Sequence, residues 1–235
     1  MNEKEKVKLF LLPYAGGSSL YYSHWAKFLD KHIELIPLDL PGRGLHFKEP
    51  VCNNFQDAMD YVYKDIKSSI DDCKYGFFGY CVGTTMVYEL HKRIVSEQLK
   101  RPDFCILCSN VPPDTYMKGN GLEDAPVEIL LRDWLNSSNI KKEDMKKRKY
   151  LQDMFNVWKS DSIMMNKYRF SGDICKFECN LILINGKQDD ALEEESIRRW
   201  KRFTEGECRE IYIEGNHDFL KTNEKTLIEV INKLI

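Results

Sequence analysis

Short runs rich in valine, isoleucine, leucine and phenylalanine punctuate the chain at residues 8–13, 33–39, 75–79, 104–109, 180–185 and 210–214. Near-continuous apolar runs of this length predict strands covered on both faces, the condition of a parallel sheet. Between them, residues 55–70, 84–99, 194–203 and 224–234 carry apolar side chains at helical spacing and predict amphipathic helices. This alternation implies an α/β architecture, an open and mostly parallel sheet with helices on both faces. The rhythm stops over residues 111–170. Pro112-Pro113 and Gly119-Asn120-Gly121 mark a loop there, and two or three helices follow. In the last of these, Leu151, Met154, Phe155 and Trp158 fall at i, i+3, i+4 and i+7 and predict one apolar face. An insertion of this length between two strands is expected to be a helical lid or binding element.

The 235 residues suffice for one core and predict a single domain over 1–235, with 111–170 inserted in it. A hydrophobic share of 43%, a charged share of 31% and a net charge of −2 describe an ordinary globular chain. They give no basic excess for a nucleic-acid partner. The apolar run from Val7 to Leu12 ends at Pro13, too short for a secretory core. No run is long enough to span a bilayer. The expectation is a cytoplasmic protein, a monomer by default, whose eight cysteines are reduced thiols. Cys105 and Cys108 would have to join Cys175 and Cys179 to hold zinc. Three positions apart on one strand, however, the first two point to opposite faces, so no metal is expected.

Gly79-Tyr-Cys-Val-Gly83 follows the third predicted strand and precedes a predicted helix. A glycine-flanked residue at a strand-to-helix turn is the arrangement of a nucleophile elbow. The turn strains its central residue, and side chains at the flanking positions would strike the neighbouring strand and helix. Cys81 is then lifted clear of the sheet at a helix N-terminus that favours a thiolate. The Val82 N–H becomes available to an oxyanion. A thiol exchanges one thioester for another at little cost, so cysteine here suits thioester substrates. It would equally suit a substitution that traps an acyl intermediate.

In elbow enzymes the acid and then the base follow the nucleophile, each on a loop after a late strand. Gly186-Lys-Gln-Asp189 and Gly215-Asn-His217 occupy those two places. His217 alone among the five histidines follows a terminal strand; His24, His32, His46 and His91 lie in helix starts, loops or amphipathic faces. Asp189 and Asp190 are adjacent, and only one of them can face an imidazole. After the first strand, Leu12-Pro-Tyr-Ala-Gly-Gly-Ser18 is a glycine loop where such a fold supplies its second oxyanion N–H. A phosphate-cradling reading of this loop is weak, because Gly-x-Gly-x-x-Gly is absent.

Pro13-Tyr-Ala-Gly-Gly17, Leu40-Pro-Gly-Arg-Gly44 with Glu49-Pro50, Phe78-Gly-Tyr-Cys-Val-Gly83, Gly186-Lys-Gln-Asp189, Gly215-Asn-His-Asp-Phe-Leu220 and the stretch from Met154 to Asp161 and on to Tyr168 stand in register along nearly the whole chain. Together they resemble the type II thioesterases that accompany non-ribosomal peptide and polyketide synthases. The resemblance implies an α/β-hydrolase fold with a helical lid. It implies hydrolysis of acyl groups from the phosphopantetheine arm of an acyl or peptidyl carrier protein, as in antibiotic biosynthesis, with no cofactor beyond that substrate arm. It places the acid at Asp189 and the oxyanion donors at Val82 and at the Tyr14-Ala15 segment, chiefly Ala15. This chain departs from the family in having Cys81 for serine, and Tyr80 where histidine is common.

Tyr14, Tyr80, Met154 and Trp158 are the expected substrate contacts. Trp134, Met154, Phe155, Trp158, Met164 and Met165 either line an acyl channel or form the core of the lid. Lys141, Lys142, Lys146, Lys147, Arg148 and Lys149 are either a docking face for an acidic carrier or a solvated helix face. The rival functions are an acyltransferase or ester or lactone hydrolase on the same scaffold, and an inactive relative that only binds acylated carrier.

Overall fold

The computed structural model describes residues 5–70, 72–116, 126–138 and 140–235. The expected turn at Gly119-Asn120-Gly121 lies outside them. Six strands form one sheet in the order β2-β1-β3-β4-β5-β6, where β1 is Val7–Leu12, β2 Ile33–Pro37, β3 Lys74–Tyr80, β4 Phe104–Cys108, β5 Asn180–Gly186 and β6 Cys208–Ile213. Every pairing is parallel.

Alternation along the strands feeds two cores. Phe10, Phe77, Cys105, Leu107, Leu181 and Leu183 face one side, under α2 (Phe55–Ser69) and α3 (Val82–Ser96). Leu9, Leu11, Phe78, Ile106, Cys108, Ile182 and Ile184 face the other, against Trp25 and α9 (Glu224–Leu234). Cys105 and Cys108 thus lie on opposite faces, as strand alternation requires. No helix among the described residues is long and apolar enough to cross a membrane.

The boundaries differ from expectation where polar residues take over. β2 stops at Pro37 because Asp39 turns inward, where its carboxylate accepts the Ser19 N–H at 2.6 Å, the Ser19 hydroxyl at 2.5 Å and the Leu45 N–H at 3.1 Å. β6 begins at Cys208, earlier than 210, because the first residues of this edge strand include the charged Arg209 and Glu210, exposed and half-buried, which an apolar pattern does not register. The helix expected over 194–203 is α7 (Glu194–Arg198) followed by a 3-10 turn, Arg199–Phe203, whose tighter winding puts Trp200 and Phe203 on one buried side.

Between β4 and β5 lie α4 (Val127–Ser138), α5 (Lys142–Lys147) and α6 (Lys149–Lys167), with no strand among the described residues of that insertion. Trp134, Leu151 and Phe155 form a small core there, whereas Met164 and Met165 join the main one.

The order of the strands creates a switch point. From β1 the chain moves outward to β2, then crosses back to place β3 on the other flank of β1. The loops leaving the carboxyl ends of β1 and β3 are therefore side by side, Leu12 pairing with Gly79. Such a crevice is where parallel sheets bind ligands. A cavity of about 650 Å³ lies at the opposite, amino-terminal end, lined by Val7, Lys74, Asp103, Asn180 and Arg209, away from that crevice.

Candidate active site

Cys81 stands between β3 and α3 with φ 52° and ψ −116°, a conformation that costs a side-chain-bearing residue about 1–3 kcal/mol. Four hydrogen bonds hold it. Its N–H donates to the Cys108 carbonyl at 2.8 Å. Its carbonyl accepts the Thr84 N–H at 3.0 Å and hydroxyl at 2.9 Å, and the Asn110 side-chain amide at 2.8 Å. The flanking glycines are required by space: a Cβ on Gly79 would lie 2.6 Å from the Gly83 carbonyl oxygen, and one on Gly83 2.5 Å from that of Leu12.

The loop after β5 delivers Asp189 and the loop after β6 delivers His217, whose Nδ1 meets Asp189 Oδ2 at 2.9 Å. The Asp189 side chain is only 2% exposed, while Asp190 faces solvent. That settles which of the two adjacent carboxylates reaches the imidazole. Burial raises the Asp189 pKa, but the hydrogen bond and charge of His217, with the Ala191 N–H, outweigh it and hold the carboxyl below its ordinary range. For His217, burial opposes the charged ring; hydrogen bonds to Asp189 and Cys81 and the charges of both prevail and raise it to about 10. With Nδ1–H donating to the carboxylate, Nε2 is left for the thiol. Three other histidines bond elsewhere: His24 to Glu224 at 2.8 Å, His46 to Glu49 at 2.9 Å, and His91 to the Lys176 carbonyl at 3.0 Å.

The loop after β1 is a tight turn. Gly17 N–H donates to the Tyr14 carbonyl at 2.8 Å, and Gly16 takes φ +77°. Gly16 N–H donates to Asp161 Oδ2 of α6 at 2.7 Å. Two of the loop's amides are therefore engaged, and the described hydrogen bonds leave the Ala15 N–H, with that of Val82 at the start of α3, available to an oxyanion.

The expected substrate contacts separate. Trp158 packs on the turn, so closely that a Cβ on Gly16 would sit 3.0 Å from its own Cβ. Tyr14 stands edge-on to Tyr21 and Tyr80. Tyr80 is a buried brace: its hydroxyl donates to the His217 carbonyl at 2.6 Å and accepts the Leu220 N–H at 3.3 Å. Met154 is 48% exposed and belongs to none of the packed clusters, because α4 covers only the side of α6 that carries Leu151 and Phe155. Arg43, Asp161 and Asn110 were not singled out from the sequence. The first two stand inside recognisable motifs, but their pairing spans 118 positions.

Tyr80→Phe is expected to keep the ring packing and lose the brace, lowering stability by about 1–3 kcal/mol through the stranded His217 carbonyl. Urea unfolding and thioester turnover check it, with kcat falling and KM unchanged. The raised His217 pKa also sets a pH dependence. A folded-state value above the unfolded 6.5 contributes stability fully present below about pH 6.5 and lost as pH rises through about 10. Unfolding free energies of the protein and of His217→Gln should therefore converge between pH 7 and 10. A constant difference over that range would exclude the raised value.

Residues 7–235 match the thioesterase domain family. The chain is 23% identical over 233 residues, 99% of its own length and 90% of the relative's, to the gramicidin S biosynthesis protein GrsT of Aneurinibacillus migulanus. It is 22% identical over 242 residues, covering 100% of the chain and 89% of the relative, to the medium-chain S-acyl fatty acid synthase thioesterase of Homo sapiens. The solved structure of ClbQ, from the colibactin NRPS/PKS pathway, superposes with a TM-score of 0.87 at 23% identity, covering 97% of this chain and 96% of that one. The fold is that of the thioesterase α/β-hydrolases. The chain belongs to the thioesterase family and is a thioester hydrolase.

Proposed function

We propose that this thioesterase removes acyl groups from the phosphopantetheine arm of a carrier protein serving a non-ribosomal peptide or polyketide synthase, through Cys81, His217 and Asp189. The observation that carries the reading is the line from Asp189 through His217 to a strained cysteine beside two free amides. The names of several relatives point to the pathway: besides GrsT and ClbQ, they include YbtT, the type II thioesterase of the yersiniabactin NRPS/PKS pathway.

His217 takes the Cys81 proton, and the thiolate adds to the thioester carbonyl carbon. The Ala15 and Val82 amides stabilise the tetrahedral oxyanion. Collapse breaks the bond to the pantetheine sulfur, which leaves with the proton from His217. A water deprotonated by His217 then adds to the acyl-Cys81 thioester, and collapse returns the proton to the Cys81 sulfur and frees the carboxylic acid. Asp189 holds the imidazole tautomer and stabilises the imidazolium without taking the proton. Sulfur-to-sulfur transfer is close to balanced in energy, so acylation suits a thiol nucleophile and hydrolysis sets the pace.

Intact-protein mass spectrometry with an acyl-loaded carrier tests this. The protein should free the carrier and carry an acyl adduct, and Cys81→Ala should show neither. A carrier that stays loaded while binding would sink hydrolysis. Lys141, Lys142, Arg148 and Lys149 are exposed; the side chains of Lys146 and Lys147 lie outside the described residues. Reversing the four exposed charges should raise KM for carrier-bound acyl groups but not for small acyl thioesters. An equal effect on both would exclude docking there.

A further inference from the structure

Arg43 and Asp161 form a buried bidentate pair, Nη1 to Oδ2 at 2.6 Å and Nη2 to Oδ1 at 2.5 Å, with side chains 3% and 2% exposed. The pair does more than neutralise itself. The same Asp161 Oδ2 accepts the Gly16 N–H, and Arg43 Nη1 also donates to the Gly17 carbonyl at 3.3 Å. Both groups thus clasp the turn that presents the Ala15 amide.

The local backbone explains how Arg43 reaches inward. Gly42 and Gly44 take φ +83° and +52°, and a Cβ on Gly44 would overlap the Asp39 carboxylate. Asp39 in turn ties this loop to Ser19, just past the turn. Asp161 arrives from the other direction, on α6, one turn beyond the Trp158 that packs on Gly16.

A four-residue turn with positive φ at its third position has a central peptide that can flip over. Here that peptide joins Ala15 to Gly16. In the observed state its N–H meets Asp161. In the flipped state the Ala15 carbonyl oxygen would face the same carboxylate and be repelled.

We propose that Asp161, held by Arg43, is a positioning residue: with Asp161 on the Gly16 N–H and Arg43 on the Gly17 carbonyl, the pair fixes the seat of the whole turn, and so of the preceding Tyr14–Ala15 peptide whose Ala15 N–H meets the substrate oxyanion. The assignment rests on the thioesterase mechanism proposed above. It makes the insertion helix a part of the oxyanion hole, since the acceptor that orders the turn is carried on α6.

The test compares the protein with Asp161→Asn and with the double variant Arg43→Met/Asp161→Leu. The double variant replaces the buried pair with apolar groups of similar size, a change that generally preserves folding. Each is assayed for hydrolysis of a small acyl-N-acetylcysteamine thioester, for alkylation of Cys81 by iodoacetamide, and for hydrogen exchange at the Gly16 amide. Both variants should lose kcat by at least about 10-fold, up to the roughly 100- to 1,000-fold that loss of one oxyanion donor costs. KM and the alkylation rate should be unchanged, because thiol and imidazole are untouched, and Gly16 exchange should accelerate. Should either folded variant retain the parent kcat, or the Gly16 amide exchange no faster, Asp161 has only a structural role. An unaltered protein that alkylates at Cys81 yet hydrolyses no thioester would overturn the mechanism itself, a failure distinct from that of the clasp.

Discussion

The structure depends on a reversed backbone at one residue. Cys81 is held at φ 52° in a space too narrow for side chains at Gly79 or Gly83. The conformation is tolerated because the residue's N–H and carbonyl are both satisfied by firm neighbours: the end of β4, the first turn of α3 and the Asn110 amide. A relaxed turn would lay the thiol back against the sheet. The crossing of β3 over β1 adds the second requirement, because only adjacent strands bring the glycine turn after β1 beside the elbow. That adjacency brings together the Ala15 and Val82 amides of the proposed oxyanion hole.

Around this point the molecule uses charge in two ways. Asp189 is buried, but its partner His217 is 40% exposed and can exchange a proton. Arg43 and Asp161 are both sealed in. A buried ion pair is weak evidence for stability, since desolvation offsets much of its attraction. Its geometric demand is strict, however, because an unpaired partner would be very costly. The pair therefore fixes the relative seat of three segments, the β1 turn, the loop around Arg43 and α6, more firmly than apolar packing of the same size could.

A thiol is the proposed nucleophile, and it suits a thioester substrate because sulfur-to-sulfur acyl transfer is close to balanced in energy. Tyr80 supports the same site. Its hydroxyl bonds to the His217 carbonyl and the Leu220 N–H, so the His217 loop is anchored by the residue preceding Cys81.

By itself the sequence determined what is local. Near-continuous apolar runs marked every strand to within two residues, failing at Asp39 and at the start of β6, where buried or edge polar residues broke the pattern. Glycine spacing marked the strand-to-helix turn at Cys81, and chain order marked the loops that carry Asp189 and His217. The tertiary structure decided what lies between distant segments: Asp189 rather than Asp190, 28 positions from His217; Tyr80 as a brace 137 positions from that same residue; and the pairing of Arg43 with Asp161 across 118. It also turned Met154 to the surface while its neighbours on α6 were buried. Local periodicity reflects the repeat of one backbone and is written into neighbouring residues. A pairing between loops depends on where the whole chain path brings them, and no stretch of the sequence carries that path alone.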